Sequence, residues 1–357
     1  LPDKPPLLTN YYIYLTEGCN LCCRHCWIAP TYIEEGAEAG YLSIDLLEQA
    51  IEEGLPLGLK RARVTGGEPL LHPEFPQVVD LLDRKGMVFS LETNGTLIDQ
   101  PCAEYLAKAG TLKNISISLD GAKVETHDRH RGVAGSFDKA CRGIRLLADA
   151  GKSSQIIMSL HKSNIAEIAG VVALAERLGG NSVKFNLIQP SGRAEAMSKQ
   201  GDLPSLIDLI AIGKWVETEL QRKTPLRLFF DWPKAFKNLG ELHRDKACNC
   251  HILNSLGILA DGKLALCGIG SQEPELVFGK IGEDSIGTLW KTNPVLLELR
   301  AKLPGGLTGI CGQCLLRDNC LGNCIAQNYH KGKSLVAPFW FCQEAAEAGL
   351  FPATRIE

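Results

Sequence analysis

Six times between residue 10 and about residue 200, a short β-branched run is followed by a polar or glycine-rich turn and then by an amphipathic helical stretch. This alternation constrains the fold more than any other feature, because consecutive β-α units join through right-handed crossovers into a parallel sheet. The strand candidates run from Tyr11 to Thr16, Arg61 to Thr65, Met87 to Thr93, Lys113 to Asp120, Gln155 to His161 and Ser182 to Gln189. Between them lie helical stretches such as SIDLLEQAIEEG, which opens on the cap candidate Ser43, and SFDKACRGIRLLADAG; all close on glycine. Six units are two short of a full eight-unit barrel, which leaves an open partial barrel or a doubly wound sheet.

The chemically unusual motifs of this half cluster at strand ends. Four cysteines follow the first strand, GGEP (Gly66 to Pro69) the second, TNG (Thr93 to Gly95) the third, SLDG (Ser118 to Gly121) the fourth and QPSGR (Gln189 to Arg193) the sixth. Parallel α/β folds bind ligands at the C-terminal ends of their strands. Past residue 200 comes one amphipathic helix, LPSLIDLIAIGKWVETELQRK, and then a glycine-rich, cysteine-dense segment from Cys248 to Cys342. That segment can bury little apolar surface per residue, so metal is expected to supply part of its folding free energy. The expected organisation is two domains, residues 1–235 and 236–357.

Bulk properties exclude several classes of partner. With 38 basic against 41 acidic residues and a net charge of −3, the chain has no footprint for nucleic acid or a membrane surface. Fourteen cysteines suit either a secreted disulfide framework or a cytosolic metal protein. LPDKPPLLTN lacks the basic-then-apolar pattern of a secretion signal, and no run of about 18 apolar residues occurs, so a cytoplasmic chain with thiolate ligands is expected.

The stretch TEGCNLCCRHCW holds Cys19, Cys22, Cys23 and Cys26. It reads either as two abutting Cys-x-x-Cys pairs or as Cys-x3-Cys-x2-Cys with one cysteine spare. Four ligands on a single zinc ion would require adjacent cysteines to converge on a small centre, whereas three can wrap a larger cubane cluster and leave its fourth iron open.

Cys19-x3-Cys23-x2-Cys26 after the first strand, followed by Trp27 and then in order by TGGEP, TNG, SLDG and a later RG, resembles the radical S-adenosylmethionine (SAM) enzymes. The resemblance implies a partial (β/α)6 TIM-type barrel. It also implies a 4Fe-4S cluster on Cys19, Cys23 and Cys26 whose open iron binds SAM, with Cys22 spare. SAM then yields a 5′-deoxyadenosyl radical that abstracts hydrogen from substrate. The cofactor contacts implied are Trp27, Gly66, Gly67, Glu68, Pro69, Asn94, Ser118 and Arg131, with Arg129 a rival for the last. Gly66 and Gly67 would let backbone carbonyls approach the methionine ammonium, to which Glu68 offers a carboxylate.

The C-terminal half is similar to the SPASM extension of peptide-modifying members of that family: Cys311-x2-Cys314-x5-Cys320-x3-Cys324, then Cys342, with Cys248, Cys250 and Cys267 ahead of it. Two auxiliary 4Fe-4S clusters are implied, making three in all. Cys311, Cys314, Cys320 and Cys342 would bind the outer one, and Cys267 and Cys324 the inner one with Cys248 and Cys250. Only one residue separates Cys248 from Cys250, so one of the two is free in the alternative arrangement, which leaves an iron open to a substrate thiolate. Cys102 and Cys141, on helical stretches, read as small core residues.

The function implied is maturation of a ribosomally made precursor peptide by crosslinking, epimerisation, oxidation or excision. The alternative is a small-molecule substrate such as a tetrapyrrole or an alcohol. Sulfatase maturation is disfavoured, because the aspartate expected after Cys267 is Gly268; Asp231 and His251 are the remaining candidates for a base. The implied partners are a precursor peptide, a separate peptide-recognition protein and a flavodoxin or ferredoxin as electron donor.

Overall fold

The computed structural model describes residues 5–34, 39–244 and 250–357. All six expected strands form: β1 (Asn10–Tyr14), β2 (Arg61–Thr65), β3 (Val88–Thr93), β4 (Leu112–Ser118), β5 (Gln155–Leu160) and β6 (Ser182–Leu187). Four more join the same sheet: β7 (Arg227–Phe230), β8 (Ser255–Ile258), β9 (Lys263–Ala265) and β10 (Val277–Lys280). The order is β10-β9-β8-β1-β2-β3-β4-β5-β6-β7. Strands β8 to β7 are parallel, while β9 and β10 return antiparallel at the edge.

One sheet thus holds strands from both sides of residue 235. β8 pairs with β1 in the register Asn10↔Ser255, so the cysteine-rich part begins by extending the barrel sheet.

Successive strand side chains point to opposite faces. One parity is apolar and packs under the helices: Val64, Leu91, Ile115 and Ile117, Ile156 and Met158, Val183 and Phe185 are all buried. The other parity carries Thr65, Glu92, Ser116 and Ser118, Ser159 and Asn186, which line one common cavity. A flat sheet could not bring side chains from β2 and β6 to one small space, so the sheet curls around it as an open partial barrel.

The connecting helices include α1 (Ile44–Gly54), α2 (Phe75–Arg84), α3 (Gln100–Lys108), α4 (Val124–Arg131), α5 (Ser136–Asp149) and α6 (Ile168–Arg177). Ser43 caps α1 as expected, accepting the Leu46 N–H at 3.3 Å. Two further helices follow β6: α7 (Ala194–Lys199) and α8 (Leu206–Thr218), the latter closed by a capping box between Ser205 and Asp208. Among the described residues no helix is long and apolar enough to cross a membrane.

Candidate active site

The cysteine loop leaves β1 and is fixed on three sides. Gly67 and Glu68 donate their backbone N–H groups to the carbonyls of Thr16 and Gly18, both at 2.9 Å. A Cβ on Gly67 would lie 1.9 Å from the Gly18 oxygen, and Gly66 adopts φ 144° against the backbone of Thr16. These glycines thus admit the cysteine loop itself. On the second side, Cys22 and Arg24 donate to the carbonyls of Arg131 and His130 at the end of α4, each at 3.0 Å. On the third, Arg193 bonds the Cys23 carbonyl at 3.3 Å and also the Pro30 carbonyl. Gly192 packs where a Cβ would meet the Trp27 oxygen at 2.5 Å.

This scaffold presents Cys19, Cys23 and Cys26 to one cavity of about 300 Å³, shared with Trp27, Gly67, Glu68, Asn94, Ser118 and Arg131. Gly66 and Pro69 do not reach its wall; Pro69 is buried and opens the turn Pro69–Leu71. Cys22 is exposed and outside the cavity. Of the two rival arginines, Arg129 is exposed and Arg131 is 5% exposed.

Among the described residues no cysteine is in a disulfide. Burial pushes Cys19 well above the ordinary thiol range and raises Cys23 too, although the Arg131 guanidinium, 3.5 Å from the Cys23 sulfur, opposes the rise. Three free thiols on one loop, two of them buried, fit an iron-sulfur cluster: ligation would ionise them and release their protons.

Glu68 borders the cavity and is tied to its own neighbours. Its carboxylate is 1% exposed and accepts from Leu70 N at 3.1 Å, the Thr93 hydroxyl at 2.6 Å and Asn94 N at 2.8 Å. Burial raises its pKa against those donors. Its evident work is to hold the TNG turn, so that the Asn94 amide reaches Asn20 at 2.8 Å and approaches the Cys19 sulfur at 3.9 Å.

Sequence reasoning missed four contributors. Asp120, fully buried, receives Arg131 Nε at 2.7 Å; burial would raise its carboxyl, but Arg131 holds it well below the ordinary range. His25, between two of the cysteines, lines the cavity and stacks on His130 at 4.5 Å. Arg193 and Gln189, from the noted QPSGR motif, also line it. The available signal was position: Asp120 lies in SLDG and Gln189 and Arg193 in QPSGR, the motifs that follow β4 and β6, and His25 lies inside the cysteine loop.

Asp231 lies on the cavity wall, paired to Lys184 at 3.3 Å. His251 does not; it borders a separate depression shared with Asn10, Arg61 and Val88, at the opposite strand ends. Gly268 has a steric reason: a Cβ there would lie 2.3 Å from the Tyr14 ring. Tyr14 in turn meets Trp27 edge-on, with centroids 6.5 Å apart.

In the C-terminal part, Cys311, Cys314, Cys320 and Cys342 border one cleft with Pro233 and Phe351. The Cys342 thiol is hydrogen-bonded to Cys311 and lowers its pKa. Cys250 and Cys267 both lie near enough to the Tyr12 phenol to oppose its ionisation, behind the larger effect of burial. Cys324 precedes the helix Ile325–Gly332. Cys248 lies outside the described residues.

Residues 13–175 match the model of the radical SAM superfamily. The chain is 31% identical over 331 residues to the AdoMet-dependent heme synthase of Methanosarcina barkeri, covering 88% of this chain and 90% of that protein. It is 28% identical to the mycofactocin maturase MftC of Mycobacterium ulcerans, covering 91% and 85%. Its fold resembles that of Streptococcus suis SuiB bound to the precursor peptide SuiA, with a TM-score of 0.73 at 18% identity, over 95% of this chain and 76% of that one.

Proposed function

The chain belongs to the SPASM-bearing branch of the radical SAM superfamily, and from that premise we propose that it is a peptide maturase, taking a hydrogen atom from a residue of a ribosomally made precursor. Cys19, Cys23 and Cys26 would hold the 4Fe-4S cluster. Bound there, the cluster would supply the one-electron reduction of SAM that generates a hydrogen-abstracting radical. The chain's own groups position and shield. Arg131, braced by Asp120, carries its guanidinium between Cys23 and the cavity as a carboxylate partner for SAM. Trp27, Asn94 and Ser118 complete the wall, and the Gly66–Gly67 turn keeps the cysteine loop in register.

Two auxiliary 4Fe-4S clusters follow on this reading. Cys311, Cys314, Cys320 and Cys342 serve the outer one, and Cys267 and Cys324 with Cys248 and Cys250 the inner one. A cytoplasmic setting, a flavodoxin or ferredoxin as electron donor and a separate peptide-recognition protein accompany it.

One observation carries a peptide over a tetrapyrrole. A tetrapyrrole with propionate arms asks for unpaired cations, as buried carboxylates do generally. With Arg131 assigned to the SAM carboxylate, Arg193 is the other arginine on the described cavity lining, and it is bonded to two backbone carbonyls. A neutral polypeptide makes no such demand. The similarity to the heme synthase favours the second reading, a small-molecule substrate.

The test is to reconstitute and reduce the protein, add SAM with short peptides encoded beside its gene, and follow both 5′-deoxyadenosine and peptide mass. A mass change on a peptide, dependent on SAM, is expected. Turnover of an iron tetrapyrrole with every peptide unchanged would overturn the proposal.

A further inference from the structure

A second cavity of about 600 Å³ adjoins the first. It lies between the barrel segment 188–209 and the C-terminal helices Ile325–Gly332 and Trp340–Glu347, and Ile188 borders both spaces. Gln189, on the first cavity, accepts a hydrogen bond at 2.7 Å from the indole of Trp340, on the second. The partition is therefore one residue thick.

Three features of the lining define what would occupy it. Its charged groups are paired, Lys199 with Glu195 at 3.8 Å and Lys331 with Glu344 at 3.2 Å, and the His330 imidazole is hydrogen-bonded to the buried Glu273 at 2.6 Å. Its walls carry Leu160, Ile188, Leu203, Leu209 and Trp340. And three residues bordering it hold buried oxygens with no hydrogen-bond partner, Ser191 Oγ, Gln327 Oε1 and Asn328 Oδ1. Ser191 and Asn328 are 2% and 3% exposed, and the Asn328 amide nitrogen is already committed to the Gly322 carbonyl at 2.8 Å, so its oxygen is the free end. Buried acceptors left unpaired cost free energy, which a donor in the cavity would recover once the side chain turns towards it.

We propose that this cavity is a docking pocket for an apolar side chain of the peptide substrate, with Gln327, Asn328 and Ser191 accepting from the peptide N–H groups beside it. The inference rests on the peptide reading and sharpens it: a neutral apolar residue near the reacting one is the element recognised. An anionic or cationic side chain finds no unpaired partner among the described lining groups. The chain would pass over Ile188 from the docking pocket to the reaction cavity.

The probe is N-acetyl-leucinamide, with N-acetyl-leucine methyl ester as the analogue lacking the C-terminal N–H, both titrated by ligand-observed NMR into the full-length protein. The amide is expected to bind about 10-fold tighter than the ester, the effect of one acceptor gaining a donor. Leu203→Trp, which fills the space, is expected to remove binding of both. Gln327→Leu is expected to abolish the amide preference and Gln327→Glu, which keeps the acceptor, to retain it; this ratio is read within one folded protein and does not depend on the Leu203 variant folding. Equal binding of amide and ester by the unaltered protein, or unchanged binding in a folded Leu203→Trp protein, would overturn the proposal. Amide-selective binding without modification of any peptide would uphold the pocket and remove the maturase reading, so the two failures are distinguishable.

Discussion

The two cysteine regions of this chain are braced to different degrees. The loop of Cys19, Cys23 and Cys26 is fixed by groups that owe nothing to a metal: the GGEP turn, the end of α4 and the Arg193 guanidinium all bond its backbone. Around Cys311, Cys314, Cys320 and Cys342 the local helices are one turn or little more, Gly309–Gln313 and Arg317–Cys320; two of the thiols bond each other, and the backbone is tied chiefly to the C-terminal segment, as by Leu315 N–H to the Arg355 carbonyl at 2.9 Å. Helices that short have no stability of their own. On the proposed reading, a cluster that keeps an iron open for SAM needs its coordination fixed by the protein, whereas a fully ligated outer cluster would lend its geometry to the chain.

The sharpest way to break this contrast is substitution within the first loop. Cys23→Ala is expected to abolish SAM cleavage, and Cys22→Ala to leave the cluster's absorption and the cleavage intact, since Cys22 is exposed and outside the cavity. The reverse pattern would assign the spare thiol wrongly.

Removal of iron should come next in magnitude. After chelation, hydrogen exchange is expected to show lost protection across 309–342 while amides of β1 to β6 keep theirs. Uniform loss in both regions would mean that the barrel loop depends on its metal as much as the C-terminal part does.

A smaller effect comes from acid. Burial lowers His127 and His161 from the ordinary 6.5 to about 4 each, so between those values the unfolded chain binds protons that the folded barrel does not. Their contribution is fully present above about pH 6.5 and fades as pH falls towards 4, by on the order of 1 kcal/mol per pH unit for each group. Denaturant midpoints of the metal-free protein at pH 7 and pH 5 would measure it; a midpoint that stayed level or rose on acidification would contradict the buried, neutral assignment.

Much of this architecture is legible from residues alone, for reasons that also mark where legibility stops. The six strands up to Leu187 announce themselves by β-branched runs with glycine-closed helices between them. β7 and β8 have four residues each, and β8 pairs with a strand some 245 positions earlier, so nothing local signals it. Motifs at strand ends mark the cavity, yet their internal roles are tertiary. Gly66 and Gly67 look like a ligand cradle in sequence, and their close packing on the backbone of Thr16 and Gly18 is visible only in three dimensions. Arg193 acts on a carbonyl 170 residues away, and Asp120 becomes important only because α4 brings Arg131 back to it.

Tyr14 and Gly268 carry a consequence for protein engineering. The phenol fills the volume that any side chain at 268 would need. An acid placed there by Gly268→Asp alone would collide with the ring, and trimming Tyr14 alone would open a void beside Trp27. The two positions are coupled, so a route towards a member that deprotonates its substrate from residue 268 passes through a double substitution whose single-step intermediates are both impaired. Random mutagenesis one codon at a time would miss that neighbouring chemistry, whereas paired libraries at 14 and 268 would reach it.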